Sequence, residues 1–514
     1  MKRFLRITAG MMTLVILMTW LVGCSKPDTV KTENQSTGKP ADTAKEQSKD
    51  EKKEDTKEQT AAPAEPVVIK AVIKDMSPDD EVSVTFLKHV SEGVSKMLGQ
   101  NVTIELVPIS EGTYSESVGL LLQSGNIPDL IYFQGGDYQF AITQQILENL
   151  NPYIEKSEYI KKMLQPSNAE RLKNYPYLLW LSPDRIKVPV VREDWLNATE
   201  SGKKLLEDPS PENYKAFFRE IKEKNKAKAA YTVPGNIAEL DTVFNAAFGV
   251  NTTWVKQGDS YVYSKITDGE KNKLAFYASL YKEGLFDNEW LSKKWDTKEQ
   301  AFYTGEVAVV AGTEGAVVNI YNSKMIKQNG ETAKLVVLPP AKGLGQSYTS
   351  SNVSKESRGW AISAYSEHKE QAFAILEYMA SPEGQILDKL GYEGEQHKLE
   401  DGVYTLTDKI SEWYARFHES TAAFDVKFNP QTPFFSEPAE NSLNMVSKYL
   451  SFDNAFVIPG DYITNWDAGQ SLYLEYAADV ISGKKSIDTF DDFVTEWTQT
   501  VGPEITEYAN KNIK

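Results

Sequence analysis

Apolar and polar positions divide this chain into three regions. Residues 7–22 are almost wholly apolar, and residues 25–66 carry almost no large apolar side chain after Val30. From Val67 onward, short apolar runs alternate with helical stripes. The run at 67–73 is apolar and β-branched, which predicts a buried strand, and Asp75-Met76-Ser77-Pro78 breaks it. Residues 79–98 predict a helix. Residues 101–108 predict a second strand, with Val102, Ile104 and Leu106 on one face. A short helix at 114–123 leads through Ser124-Gly125-Asn126-Ile127-Pro128-Asp129 into a third strand at 130–133. Strand–helix–strand alternation of this kind predicts a parallel α/β sheet. Ligands meet such sheets at the loops on the carboxyl ends of the strands. Residues 75–78 and 134–138 are therefore candidate cleft loops.

Later stripes predict further helices. Ser210-Pro211 starts one by N-cap and N1 chemistry, with Tyr214, Phe217, Phe218 and Ile221 along one face. Leu274, Tyr277, Ala278 and Tyr281 form another, stopped by Gly284. Residues 370–380 form a third, halted before Ser381-Pro382, and residues 472–481 and 487–497 close the chain. Aromatic stripes at this spacing are expected in cores rather than at ligands.

The N-terminus has its own logic. Lys2, Arg3 and Arg6 precede the apolar stretch, and small Gly23 precedes Cys24, which is the layout of a secretory signal peptide. Leu21-Val22-Gly23-Cys24 resembles the lipobox of bacterial lipoproteins. That resemblance implies removal of residues 1–23, a lipidated (palmitate-bearing) Cys24, and attachment to the outer face of a membrane. An uncleaved anchor is the alternative, but the apolar run falls short of the roughly 20 residues that a spanning helix needs. Residues 24–66 mix Lys, Glu, Asp, Thr, Ser, Gln, Ala and Pro. Such a segment buries too little to offset its ordering entropy, so it is expected to be a disordered spacer.

Composition narrows the function classes. With 514 residues, 41% hydrophobic and 11% aromatic, the chain can fill more than one core. Cys24 is the only cysteine, which excludes intrachain disulfides and cysteine-ligated zinc. A net charge of -17 argues against a nucleic-acid partner, whose phosphates need Lys and Arg. His89, His368, His397 and His418 are scattered, with no His-Glu-x-x-His spacing. There is no Gly-x-Ser-x-Gly elbow and no Gly-x-x-x-x-Gly-Lys-Ser/Thr phosphate loop. The 73 acidic residues are expected mostly on solvated faces. A surface hydrolase or lyase using paired carboxylates is therefore the alternative class, without a motif to carry it, and no cofactor is expected.

Several segments resemble one family when taken in order. Ser-Gly-Asn-Ile-Pro-Asp-Leu at 124–130 is similar to the turn before a strand in extracellular solute-binding proteins of bacterial ABC importers. Val191-Arg192-Glu193-Asp194-Trp195-Leu196, Leu280-Tyr281-Lys282-Glu283-Gly284-Leu285-Phe286 and Phe302-Tyr303-Thr304-Gly305-Glu306-Val307-Ala308 resemble its "Arg-x-Asp-Trp-Leu", "Leu-Tyr-x-Glu-Gly-Leu" and "Phe-x-x-Gly-x-x-Ala" segments. Residues 359–385 resemble its strand, turn, Ala-rich helix and "Ser-Pro-Glu-Gly" stop. Gly391-Tyr392-Glu393-Gly394 and residues 481–497 resemble its larger Gram-positive lipoprotein branch. The maltodextrin-binding-protein-like fold so implied is α/β, periplasmic-binding-protein-like, with two α/β lobes, a hinge and an interlobe ligand cleft. The implied lobes are residues 67–177 plus 307–382, and residues 185–303 plus 383–514. Crossovers are then expected near 178–184, 304–306 and 382–387. The resemblance also implies a monomer that captures a small ligand, most readily an oligosaccharide, and delivers it to a membrane permease. A sensory binding protein without transport is the variant reading.

Sugar binders of this family use aromatic rings and carboxylates, because a sugar's C–H face packs on a ring while its hydroxyls need fixed partners. Trp466 resembles the Trp that the family places at the cleft from a late helix. Trp360, beside Arg358, and Trp180, in the expected crossover, are further candidates, each with a core role as its alternative. Where many sugar binders carry "Gly-x-Trp", this chain has Gly312-Thr313-Glu314-Gly315-Ala316. Glu314 there would favour hydroxyl or amine ligands, while a helix N-terminus there would favour an anionic group. Gln134, Asp137 and Tyr138 complete the expected ligand set.

Overall fold

The computed structural model describes residues 66–513 except 111–112, 135–140, 142–143, 165, 182–185, 350–357, 418–425 and 457. The expected signal peptide, Cys24, most of the expected spacer, Asp137 and Tyr138 lie outside the described residues.

Two four-stranded sheets organise the chain. Their strands are β1 (Val67–Val72), β2 (Val102–Leu106), β3 (Leu130–Gln134), β4 (Lys187–Arg192), β5 (Ala229–Tyr231), β6 (Val307–Thr313), β7 (Leu335–Val337) and β8 (Arg358–Ile362). The first sheet runs β8-β3-β1-β2, with β1, β2 and β3 parallel and β8 antiparallel to β3. The second runs β5-β6-β4-β7, with β5 parallel to β6 and β4 antiparallel to both neighbours. The three strands expected between 67 and 133 are β1 to β3. The helix between the first two spans Glu81–Leu98, because the Asp80 carboxylate accepts from the Val82 and Ser83 N–H groups and starts it there. Gly99, at φ 64°, ends it.

Each sheet has its own core. Ile69, Phe86, Leu130, Trp360 and Ile375 belong to the first. Phe217, Phe218, Trp254, Tyr277 and Trp497 belong to the second, extended by Ile186, Val310 and Tyr321. Fully burying one such side chain contributes about 1.5–3 kcal/mol, the main resource of a chain without disulfides. Among the described residues, no buried cluster draws on both sheets.

The chain divides between these cores differently from the expected lobes. Residues 307–349 were expected beside the first sheet, but β6 pairs with β4 and β5 in the second. A strand as uniformly apolar as Val307-Ala308-Val309-Val310-Ala311 fits the middle of either sheet, so its sequence does not choose. Residues 383–428 were expected beside the second sheet. Instead, Leu387, Trp413 and Phe417 pack into the first core. The hairpin His397–Glu400 and Val403–Leu406 shares a small cluster with Leu390, at the end of the helix Pro382–Leu390. From the helix Glu437–Tyr449 onward the chain returns to the second sheet, with Met445 and Val446 in its core. The chain thus changes core between Leu181 and Ile186, between Thr349 and Arg358, and between Phe428 and Glu437. The expected crossovers near 304–306 and 382–387 fall inside single cores.

Candidate functional site

The strand ends that could meet a ligand lie on one edge of each sheet. On the first, the carboxyl end of β3 and the amino end of antiparallel β8 coincide, with Gln134 opposite Arg358. On the second, the carboxyl end of β6 lies beside the amino end of β4, with Thr313 opposite Lys187. Leu181 and Ile186 bracket the first passage between these edges, and five peptide steps reach at most about 18 Å.

On the first edge, Gln134 is half-buried, and its Oε1 is buried without a hydrogen-bond partner among the described residues. The backbone of Leu179 bridges Trp360, which carries Trp180 to this edge. Trp180 is buried, with the guanidinium groups of Arg358 and Arg171 at 5.4 and 5.7 Å from its ring. Arg171 also donates to the carbonyls of Leu178 (2.8 Å) and Arg358 (2.5 Å). Trp180 and Arg358 thus lie at this edge, as parts of a cation–π stack.

The other expected residues divide more sharply. Glu314 is buried at the end of β6, where its carboxylate accepts from the Ile186 N–H (2.9 Å) and its own N–H donates to the Ile186 carbonyl (3.0 Å). Its visible work is to close the β4–β6 ladder. The following helix, Ala316–Asn329, begins under cover, since the Gly315 N–H donates to the Ser442 hydroxyl. Trp360 is a core residue rather than a cleft residue. It is 1% exposed, stacks on Phe417 at 4.4 Å and donates its indole N–H to the Phe417 carbonyl. Trp466 is also a core residue. It sits among Trp254, Tyr263 and Trp497 where the helix Ile463–Ile481 buries one face. Trp360 and Trp466 lie in different cores and do not meet.

A residue absent from the expected set stands at the second edge. Trp295, first in the helix Trp295–Tyr303, keeps 39% of its surface exposed. Beneath its ring lies the buried Lys298 ammonium, 3.8 Å from the centroid, and Lys187 Nζ is 5.3 Å away. Both lysines meet Glu239, a buried carboxylate eight positions beyond the end of β5. Lys298 Nζ lies 2.9 and 3.0 Å from its oxygens, and Lys187 Nζ lies 2.9 Å from Oε1. Burial pulls the Lys298 ammonium below its ordinary range, against the pull of Glu239. The Trp-x-x-Lys spacing at 295–298 was the available sequence signal, since i and i+3 share a helix face. Nothing in that spacing places it beside β4. Among the described residues, no group of three or more His, Asp or Glu side chains could hold a metal.

The profile of the bacterial extracellular solute-binding protein family matches residues 85–386, more than half of the chain. The chain belongs to that family. It is 22% identical to Lipoprotein LipO of Bacillus subtilis (strain 168) over 448 residues, covering 82% of this chain and 88% of LipO. Among solved structures, the N-glycan transport solute binding protein NgtS of Streptococcus pneumoniae superposes with a TM-score of 0.61 at 14% identity, covering 87% of this chain and 98% of NgtS. An HMO-binding, ABC-transporter-associated solute binding protein of Bifidobacterium longum infantis ATCC 15697 gives a TM-score of 0.62 at 13% identity, with 87% and 98% covered. These likenesses identify the fold as periplasmic-binding-protein-like. The protein is a solute-binding protein, and its two separately cored sheets are the fold's two α/β halves.

Proposed function

We propose that the protein captures an oligosaccharide between its two halves and hands it to an ABC importer. In this reading Cys24 carries the lipid that holds it on the outer face of the membrane, and it acts as a monomer. The two lobes would be residues 67–181 with 358–428, and residues 186–349 with 437–513. Ligand would be held by hinge closure between them. The observation that carries the ligand class is Trp295, an aromatic ring at the strand ends of the second half that keeps 39% of its surface exposed. Such a ring packs against the C–H face of a pyranose, and nearby polar groups such as Gln134 then read hydroxyls. The sugar-binding neighbours of the same fold support the same class.

A thermal-shift screen of the full-length protein tests this reading. The panel holds neutral and uronate oligosaccharides, peptides and polyamines. Stabilisation is expected to follow saccharide concentration as RT ln(1 + [L]/Kd). Stabilisation by peptides alone would move the ligand class. Turnover of a glycan without saturable stabilisation would make the protein an enzyme.

A further inference from the structure

We infer that Lys298 is a positioning residue whose buried ammonium holds the Trp295 ring as a ligand-facing platform. The inference rests on the saccharide reading above for the ligand, and on geometry alone for the ring. An ammonium has three N–H donors and no acceptor. At Lys298 one direction goes to the Glu239 carboxylate (2.9 and 3.0 Å) and one to the Ala311 carbonyl at 2.9 Å. The third faces the Trp295 ring, 3.8 Å from its centroid. Lys298 is fully buried, so water does not compete for these directions.

The ring needs such an anchor. Trp295 is the first residue of its helix, with no preceding helical turn to restrict its rotamer, and 39% of its surface is exposed. Tyr321 is a tilted neighbour, with ring centroids 6.2 Å apart. Lys187, one-third exposed and 5.3 Å from the ring, is the weaker second cation. Helix, strand β6 and the Glu239 segment therefore converge on a single ammonium, and that ammonium selects one ring orientation. Fixing a contact ring before the ligand arrives removes an ordering cost from binding.

The test uses full-length protein labelled with 5-fluorotryptophan, with the Trp295 fluorine line identified by its loss in Trp295→Phe. The probes are maltotetraose and tetragalacturonate, one neutral and one anionic. The double variant Lys298→Met/Glu239→Gln removes both buried charges together, so that no orphan carboxylate unfolds the site. Lys298→Arg keeps the cation. Ordering one such side chain at binding corresponds to up to about tenfold in affinity. The double variant is expected to broaden or split the Trp295 line and to weaken binding of either oligosaccharide by that factor. Lys298→Arg is expected to restore both. A folded double variant with an unchanged Trp295 line and unchanged affinity would overturn the inference. If the line changes but the wild-type protein binds neither oligosaccharide, Lys298 still positions the ring and the saccharide reading falls instead.

Discussion

Lys273 and Asp241 meet inside the second half, with Nζ 2.7 Å from Oδ1 and the lysine fully buried. The same ammonium lies 2.7 Å from Asn245 Oδ1 and 3.1 Å from Glu270 Oε2. Lys265 supplies the second cation, 3.0 Å from Asp241, and the Tyr473 hydroxyl donates to Glu270 at 2.5 Å. Two cations and two anions, with the Tyr473 hydroxyl, thus tie residues 241–277 to the helix Ile463–Ile481. Burial alone would raise the Asp241 carboxyl, but Lys265 and Lys273 outweigh it and hold it below the usual carboxylate range. Removing one member leaves an uncompensated charge. Lys273→Met is expected to cost about 3–5 kcal/mol, and Lys273→Met/Glu270→Gln distinctly less, because the double change removes charges in pairs. Urea denaturation of the full-length protein measures both.

Glu220 gives a pH-dependent prediction. The Ser201 hydroxyl donates to its carboxylate at 2.5 Å, with the Ser201 and Glu200 N–H groups at 2.9 and 3.2 Å and Lys224 at 2.9 Å. The Ser201 hydroxyl leads these contacts, which outweigh desolvation and depress the carboxyl to about 2. A carboxyl depressed on folding contributes stability above its unfolded value, and that stability is lost as pH falls through the folded value. The loss is expected between roughly pH 5 and pH 2. Glu220→Gln should cost about 1 kcal/mol at pH 7, since solvent screens a partly exposed group. It should also flatten the acid limb of a melting-temperature profile over that window.

What the sequence disclosed follows from where the information resides. β1, β2 and β3 are legible because period-2 alternation and β-branched runs are local, and Asp80 and Gly99 mark the ends of their helix. The pairing of β6 is not legible, because a strand buried on both faces carries the same apolar run in either sheet. The resemblance implied residues 307–349 beside the first sheet, and β6 pairs in the second. The candidate residues divide by where they lie. Gln134, Trp180, Glu314 and Arg358 do lie at the strand ends, whereas Trp360 and Trp466 lie in cores. A Trp that stacks on Phe417 has the same composition and spacing as one that stacks on a sugar. Trp295 went unread because its meaning depends on Lys187 and Glu239, which are 108 and 56 positions distant.

Gly359 separates backbone demand from side-chain chemistry at the first edge. Its φ is 140°, and a Cβ there would stand 2.7 Å from the Leu179 carbonyl oxygen. That carbonyl accepts from the Trp360 N–H at 2.8 Å, and the Leu179 N–H donates back to the Trp360 carbonyl at 2.8 Å. A methyl group therefore pushes against backbone that holds Trp180 in place. Gly359→Ala is expected to cost about 2–3 kcal/mol through strain and displacement. Urea denaturation reads the loss, and a changed indole environment at Trp180 should accompany it in fluorescence.

The contrast between Trp466 and Trp295 is the sharpest check on the site. Trp466 is 7% exposed and touches three aromatic rings of its own core, so Trp466→Ala opens a large cavity. A loss of about 3–5 kcal/mol in stability is expected. Trp295 keeps 39% of its surface in solvent, so Trp295→Ala removes less buried area, and its stability cost should stay below that of Trp466→Ala. Its effect should fall on binding instead, by about tenfold or more for a stacked sugar ring. Parallel urea denaturation and calorimetric titration of the two variants separate these outcomes. If Trp466→Ala folds normally and loses ligand while Trp295→Ala binds as well as wild type, the platform belongs to the late helix and the geometry at Trp295 has no part in capture.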